Sequence, residues 1–183
     1  MKIALDVDGV LADVIHAWLS YNNGIRSAIS KSDMSEWDFW KKYDINKFDF
    51  YAELSMCWKS WETIPPTESD ISHASKELSK VGTVDIVTAR EDSTHEDVKS
   101  WLKMHNVSFK NYIGVKEGPD KAKLDYDVFI DDSPINAKHM LATGKPVIIY
   151  NQPWNLDFYD TRAKRINELT SAAKIIKETI SRD

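Results

Sequence analysis

Three features are scarce in this chain of 183 residues: cysteine, long apolar runs and excess positive charge. The single cysteine, Cys57, cannot form an internal disulfide, which fits a reducing compartment. No stretch approaches the roughly 18 apolar residues of a membrane span, and the first residues do not have the pattern of a signal peptide. With 24 basic and 29 acidic residues, the net charge of −5 argues against a protein that coats nucleic acid. We therefore expect a cytoplasmic protein with neither a membrane nor a nucleic-acid polymer as partner.

The apolar residues that are present form short runs rich in valine and isoleucine. Such near-continuous runs are typical of parallel strands that are covered on both faces of a sheet. We read four of them as strands and a fifth, weaker one as a further candidate: 2–7, 83–88, 127–131, 146–150 and, more weakly, 111–115. Helical patterns separate them, over 67–80, 94–105, 134–143 and about 165 to 181. This alternation predicts an α/β fold with a Rossmann-like, three-layer parallel sheet.

Residues 14–66 interrupt the alternation of strands and helices. They are rich in tryptophan, phenylalanine, tyrosine and aspartate, they contain no clear strand, and they indicate two or three helices that end at Pro65 and Pro66. We expect a small α-helical cap inserted after the first strand, with residues 1–13 and 67–183 forming the α/β core. Five of the seven tryptophans lie in this cap.

Pairs of acidic residues follow two of the predicted strands. Asp6 and Asp8 end the strand predicted over 2–7, and Asp131 and Asp132 end the strand predicted over 127–131. In an open α/β sheet, ligands bind beyond the carboxyl ends of the strands, so these side chains should converge there. Because carboxylates at such short range repel one another, the pattern indicates a divalent cation. Carboxylate and water ligands in an open cleft suit Mg²⁺.

Two other polar residues are predicted to reach the same edge of the sheet. Thr88 ends the second strand, and Lys121 lies ten residues before Asp131 in a loop or short helix. Both have simpler interpretations, since a threonine can cap a strand end and Lys116 and Lys123 compete for the role of Lys121. A calcium-binding EF-hand is excluded for DVDG because its glycine occupies the fourth position of the pattern instead of the sixth.

Taken in order, these residues resemble the four motifs of the haloacid dehalogenase-like phosphohydrolase superfamily. The motifs are DVDGV at 6–10, the threonine of IVTAR, Lys121, and IDDSPIN at 130–136. The segments DVDGVLAD, DFW at 38–40 and NQPWN at 151–155 further resemble the 5′(3′)-deoxyribonucleotidases of the cytosolic type C 5′-nucleotidase kind and their prokaryotic relatives. The second motif departs from those enzymes, because Thr-Ala-Arg stands where they usually have Thr-Ser-Pro, and this leaves the exact substrate open.

The resemblance implies a Mg²⁺-dependent phosphomonoester hydrolase that works through an aspartyl-phosphate. It makes Asp6 the nucleophile. It makes Asp8 the acid that protonates the leaving alkoxide and then the base that activates water. Thr88 and Lys121 would stabilise the transferred phosphoryl group. The implied metal ligands are Asp6, the main-chain carbonyl of Asp8 and the carboxylate of Asp132, with Asp131 and Asn136 in supporting roles.

The resemblance also places three cap residues against a nucleotide base, namely Phe39, Trp40 and Trp58. Stacking on a base is worth about 1–3 kcal/mol, but aromatic residues on helices are more often part of a core. Ala89 and Arg90 follow Thr88 and are candidates for substrate contact, although Arg90 suits a structural salt bridge equally well. We expect a (deoxy)nucleoside monophosphate as substrate and leave a homodimer open.

Three alternatives to the nucleotidase hypothesis follow from the same residues. The same chemistry could act on another small phosphomonoester such as a sugar phosphate. A non-catalytic binding protein on this scaffold would require a missing motif residue, and none is missing. A haloacid dehalogenase is disfavoured because displacement of a halide needs no proton from Asp8.

Overall fold

The computed structural model describes residues 1–21 and 29–180, the last two of these without their side chains. Six parallel strands form one sheet in the order β3-β2-β1-β4-β5-β6. Their bounds are β1 Lys2–Leu5, β2 Thr83–Ala89, β3 Tyr112–Val115, β4 Val128–Asp131, β5 Val147–Tyr150 and β6 Ala163–Ile166. The α/β class and the parallel sheet are therefore confirmed.

Helices cover both faces of the sheet. They are α1 Val14–Tyr21, α2 Lys47–Lys59, α3 Ile71–Val81, α4 His95–Met104, α5 Pro134–Ala142 and α6 Thr170–Ile180. Apolar residues of α3, α4 and α6 join one core cluster, and those of α5 join a second cluster. The strands contribute to both clusters in alternation, since Leu5 belongs to the first and Ala4 to the second. This burial on both faces explains why the strands have near-continuous apolar sequences.

The segment between β1 and α3 leaves the sheet and returns to it at one place. The amide of Asp13 donates to the carbonyl of Pro65 at 2.9 Å, and the amide of Thr67 donates to the carbonyl of Leu11 at 2.9 Å. Between these bonds, the described part of 14–66 holds α1, α2 and short 3₁₀ turns, and no strand of the sheet. Apolar residues of α1 and α2 share the first core cluster with β1, so the segment is packed onto the sheet.

The chain after β5 differs from the prediction. The predicted start of the last helix, at about residue 165, is wrong. Residues 163–166 form β6, and the helix begins at Thr170. Ile166, which the helical spacing included, pairs in register with Tyr150 of β5. The open edge of β5 supplies the partner for this short strand, and a pattern within one segment contains no information about such a partner. The side chain of Ile180, also assigned to that helix, lies outside the described residues.

The helix predicted over 67–80 also begins later, at Ile71. Thr67 does not cap it, because its hydroxyl donates to the carbonyl of Val10 at 2.6 Å and ties the returning chain to the loop after β1. By contrast, Ser133 caps α5, with its hydroxyl accepting from the amide of Asn136. Within the described residues, no helix has the length and apolar character needed to cross a membrane.

Candidate active site

Three buried aspartates meet where the central strands end. Asp6 follows β1, while Asp131 ends β4 and Asp132 follows it. Each offers a carboxylate oxygen that lies within 4.8 Å of those of the other two. The neighbouring parallel strands β1 and β4 bring these residues to the same edge, as the strand order requires.

Lys121 is fully enclosed between two of these aspartates. Its Nζ lies 2.7 Å from Oδ2 of Asp6 and 2.8 Å from Oδ2 of Asp131. Burial lowers the pKa of Lys121, but the charges of Asp131 and Asp6 outweigh burial and hold that pKa above its usual value. The competing Lys123 instead forms an exposed ion pair with Asp120.

The adjacent Asp131 and Asp132 have different partners. Besides Lys121, Asp131 accepts hydrogen bonds from the amide of Ser133 at 2.8 Å and from the side-chain amide of Asn136 at 3.2 Å. Asp132 accepts from the indole N–H of Trp154 at 2.8 Å. Successive residues at a strand end point to opposite sides, which separates the two environments. Asp132 therefore has more acceptor capacity left for a ligand.

The site contains more negative than positive buried charge. Burial raises the pKa of Asp6 to about 7. The positive charge of Lys121 lowers this pKa, but the negative charges of Asp131 and Asp8 raise it and oppose Lys121. Burial, together with the charges of Asp131 and Asp6, raises the pKa of Asp132 well above its ordinary value. Three carboxylates outnumber the single ammonium, and their oxygens form a ligand set that fits a divalent cation.

Asp8 lies at the edge of this group and is held by two side chains. The indole N–H of Trp58 donates to its Oδ1 at 3.0 Å. Arg90 forms an ion pair with its Oδ2, with Nη1 at 3.0 Å. The Arg90 guanidinium carbon also lies 5.1 Å from the centroid of the Trp58 ring. Trp58 and Arg90 thus both contact the acid that the sequence predicts to exchange protons.

Two residues at the site have buried donors without hydrogen-bond partners. The Thr88 hydroxyl near the end of β2 and the Nε and Nη1 of Arg90 are buried, and none of them makes a hydrogen bond among the described residues, since the contact of Nη1 with Asp8 is an ion pair only. Leaving a buried polar group unpaired costs about 1–3 kcal/mol, so such groups indicate a ligand that completes them. Both residues, with Ala89 between them, line the same cavity as Asp6.

This cavity has a volume of about 730 Å³ and lies between the strand ends and the inserted segment. Its floor includes Asp6, Asp8, Thr88, Lys121 and Asp132. Its roof is aromatic, with Trp37, Phe39, Trp40, Phe50 and Tyr51. The volume is in the range of ordinary small-molecule sites.

The roof rings are packed against one another. Trp40 stacks on Phe50 with centroids 4.4 Å apart, and Phe39 meets Trp40 edge-on at 5.5 Å. Trp40 is only 4% exposed, whereas Tyr51, which the sequence analysis missed, is 37% exposed. Trp58 does not appear among the described residues that line the cavity and is fully buried. It therefore offers no free ring face on which a base could stack.

The sequence analysis also missed how the segment NQPWN at 151–155 supports the floor. Gln152 donates to the carbonyl of Gly9 at 2.7 Å, and Asn155 donates to the carbonyl of Asp132 at 2.7 Å. Gly9 has φ +75°, and a Cβ there would come within 2.2 Å of Asp132 Oδ2. One sequence feature could have indicated this support: the amide side chains of NQPWN come directly after a predicted strand, whose end lies at the predicted site.

Solved structures of other proteins share the fold of this chain. A haloacid dehalogenase-like family hydrolase from Xanthomonas campestris superposes with a TM-score of 0.64 over 100% of this chain and 98% of its own, at 12% identity. A predicted phosphoglycolate phosphatase from Haemophilus somnus 129PT gives a TM-score of 0.65 over 95% and 96%, at 12% identity. At such identities the likeness shows the fold alone, a Rossmann-like α/β fold.

The sequence comparisons then define the family. The family model described as "5' nucleotidase, deoxy (Pyrimidine), cytosolic type C protein" matches residues 1–179. A Bacillus subtilis (strain 168) protein named "Putative nucleotidase YqfW" is 24% identical over 186 residues, which cover 95% of this chain and 92% of that protein. The chain belongs to this 5′-nucleotidase family. It is accordingly an enzyme, a phosphomonoesterase that acts on a small phosphorylated substrate.

Proposed function

We propose that this chain is a Mg²⁺-dependent 5′-nucleotidase that hydrolyses (deoxy)nucleoside monophosphates through an aspartyl-phosphate intermediate. One observation carries the proposal. The Asp6 carboxylate lies beneath the cavity with Lys121 2.7 Å away, while the Thr88 hydroxyl is left without a partner beside it. A buried nucleophile, a fixed cation and an unused donor at one point are the requirements of phosphoryl transfer.

The first chemical step forms a bond between Asp6 and phosphorus and breaks the bond between phosphorus and the leaving oxygen. Asp6 must be ionised to attack, and the ammonium of Lys121 favours that ionised form. Thr88 donates to a phosphoryl oxygen, and Lys121 offsets the charge that develops there. Asp8 gives a proton to the leaving alkoxide, so the nucleoside departs as a neutral alcohol.

The second step hydrolyses the acyl-phosphate. Asp8, now a carboxylate, takes a proton from water as the water oxygen attacks phosphorus. The bond between phosphorus and Asp6 breaks, Asp6 returns as a carboxylate and inorganic phosphate leaves. One residue thus serves as acid and then as base, because the first step leaves it in the form that the second step needs.

We assign the Mg²⁺ ligands to Asp6, Asp132 and the main-chain carbonyl of Asp8. The excess of buried negative charge and the uncommitted acceptor capacity of Asp132 support this assignment. Asp131 serves instead to hold Lys121, with Asn136 fixing Asp131 in turn. When bound, the ion neutralises charge on the phosphoryl oxygens and on the attacking carboxylate.

We further propose that residues 14–66 act as a cap that selects the substrate, while 1–13 and 67–183 form the catalytic core. The aromatic roof supports this division, since Phe39 and Trp40 line the cavity on the side opposite the carboxylates. A stacking role is proposed for these two rings and for Tyr51, but not for the fully buried Trp58. The single buried cysteine also supports a cytoplasmic location.

Phosphate release from a panel of nucleoside and deoxynucleoside monophosphates, sugar phosphates and p-nitrophenyl phosphate tests the proposal. We expect the highest kcat/KM for a nucleoside monophosphate, loss of turnover on chelation and recovery with Mg²⁺. The variant Asp6→Asn is the control for contaminating phosphatases. A preference for sugar phosphates, or full turnover in the presence of a chelator, would contradict the substrate or the metal assignment respectively.

A further inference from the structure

Trp58 and Arg90 contact the two oxygens of Asp8 from opposite chain segments. Trp58 lies near the end of α2 in the inserted segment, whereas Arg90 directly follows β2 of the sheet. Trp58 donates to Oδ1 and Arg90 pairs with Oδ2, each at 3.0 Å. The guanidinium of Arg90 also lies over the Trp58 ring, so the three side chains contact one another pairwise.

The two partners are buried, but Asp8 is not. Trp58 is fully buried, and its ring meets that of Trp101 edge-on at 6.1 Å. The Arg90 side chain is 5% exposed, while that of Asp8 is 25% exposed and lines the cavity. Each carboxylate oxygen has two acceptor sites, so one contact on each oxygen still leaves a site open toward a ligand.

We infer that Trp58 and Arg90 are positioning residues that fix the orientation of the Asp8 carboxyl group for proton transfer. The inference rests on the proposed function, in which Asp8 protonates the leaving oxygen. A carboxyl group on a short side chain rotates freely unless both oxygens are held, and proton transfer falls steeply when the acid is misplaced by about 1 Å. Trp58 therefore acts on the chemical step and not on the base of the substrate.

This role makes the effect of Trp58 depend on the leaving group. Phenolate is a poor leaving group and needs a proton as its bond to phosphorus breaks, whereas p-nitrophenolate leaves readily as an anion. Phenyl phosphate and p-nitrophenyl phosphate have nearly the same size, and neither carries a base that could reach the aromatic roof. The ratio of their first-turnover rates thus reports proton donation by Asp8, separately from substrate recognition.

The experiment measures release of the phenol in the first turnover, by rapid mixing at saturating substrate and Mg²⁺. Trp58→Phe removes the indole N–H and keeps an aromatic ring. We expect it to slow phenyl phosphate by roughly 10–100-fold and p-nitrophenyl phosphate by a clearly smaller factor. Asp8→Asn should widen the gap between the two substrates further. Trp61→Phe is the matched control, because this half-buried cap tryptophan packs beside the core cluster and should keep the wild-type ratio.

Equal slowing of both substrates by Trp58→Phe would mean that the ring only packs, and would overturn the inference. If Trp58→Phe does not fold, Arg90→Met removes the other contact and must widen the ratio in the same way. A wild-type ratio in Arg90→Met would then overturn the inference. If Asp8→Asn itself keeps the wild-type ratio, the acid role in the proposed function fails. If Asp8→Asn widens the ratio and Trp58→Phe does not, only the positioning role fails.

Discussion

The floor and the roof of the cavity are built in different ways. On the floor, charged side chains at strand ends are held by fixed partners, as Lys121 is held by Asp6 and Asp131. In the roof, aromatic rings from the inserted segment pack face to face and edge to face. Stabilising a developing charge requires groups that are already oriented, and a rigid parallel sheet provides them. Recognition of a flat ligand requires apolar surface, which a helical insertion can supply and vary without disturbing the sheet.

The same contrast recurs within the floor between two adjacent residues. Asp131 is saturated by protein donors, while Asp132 accepts from Trp154 alone among the described side-chain donors. One carboxylate serves the structure, and the other retains capacity for a ligand.

Removing the proposed nucleophile should have the largest effect. Asp6→Asn keeps the shape of the side chain and loses the attacking carboxylate, so we expect kcat to fall by at least about 10⁴-fold. Steady-state turnover of a nucleoside monophosphate measures this, with the thermal midpoint as a control for folding. A variant that retains a tenth of the wild-type rate would remove Asp6 from the nucleophile role.

Removing the buried cation should damage the fold as well as the activity. Lys121→Met leaves Asp6 and Asp131 buried without their shared partner, which should lower the free energy of unfolding by about 3–5 kcal/mol. Urea unfolding measures the loss. Lys123→Met is the matched control, because its exposed ion pair with Asp120 is screened by solvent and should change the free energy of unfolding very little. Similar losses in both variants would show that the buried pair contributes no more than a surface pair.

Asp132→Ala should raise the Mg²⁺ concentration for half-maximal activity by more than about 100-fold, because the proposed direct ligand is lost. Asp131→Ala removes a supporting residue, and such changes typically cost about 10–100-fold in metal affinity or activity. Titration of activity with Mg²⁺ compares the two variants. A larger metal defect in Asp131→Ala would reverse the assignment.

In the roof, Trp40→Ala should cost about 5–150-fold in kcat/KM for a nucleotide, the equivalent of about 1–3 kcal/mol of stacking. It should cost less for p-nitrophenyl phosphate, which carries no base. Since Trp40 is only 4% exposed and stacks on Phe50, the truncation should also lower the thermal midpoint. The ratio of the two kcat/KM values separates the effects, and an unchanged ratio would reject base stacking by Trp40.

The smallest effect concerns the stability of the metal-free protein. Burial, aided by the charges of Asp131 and Asp6, raises the folded-state pKa of Asp132 above its unfolded value. Such an acid stabilises the fold fully below the unfolded pKa and loses that contribution as pH rises through the folded pKa. Asp132→Asn should therefore raise the thermal midpoint at neutral pH and flatten its fall with increasing pH.

Added Mg²⁺ provides the complementary measurement on the same variant. It should raise the thermal midpoint of the wild type, because binding to the folded state alone stabilises it, and should do so much less for Asp132→Asn. A lower midpoint in metal-free Asp132→Asn would show that the buried charge is already compensated by the protein.

The sequence predicted the floor better than the roof. Asp6, Thr88 and Asp131 each lie at or beside the end of a strand with a clear apolar pattern, and the parallel sheet brings strand ends together whatever the loops do. Lys121, which was chosen because it lies ten residues before Asp131, has its Nζ 2.8 Å from that carboxylate in the structure.

The remainder depended on contacts between distant segments. β6 requires the free edge of β5, and Trp154 reaches Asp132 only because the chain turns sharply after β5. Trp58 has the composition of a stacking residue, yet the fold buries it completely and directs its N–H to Asp8, 50 residues earlier in the sequence. No local periodicity distinguishes a ring that faces a cavity from one that faces a carboxylate.

The central claim, that the floor forms a covalent bond to phosphorus through Asp6, can be tested most directly by trapping the intermediate. Acid quenching in the first turnover, reduction with borohydride and peptide mass analysis would convert an aspartyl-phosphate into homoserine at its position. We expect homoserine at residue 6 in the wild type with substrate and Mg²⁺, and none in Asp6→Asn. Rapid turnover with no modification at residue 6, or modification at Asp8 or Asp132 instead, would contradict it.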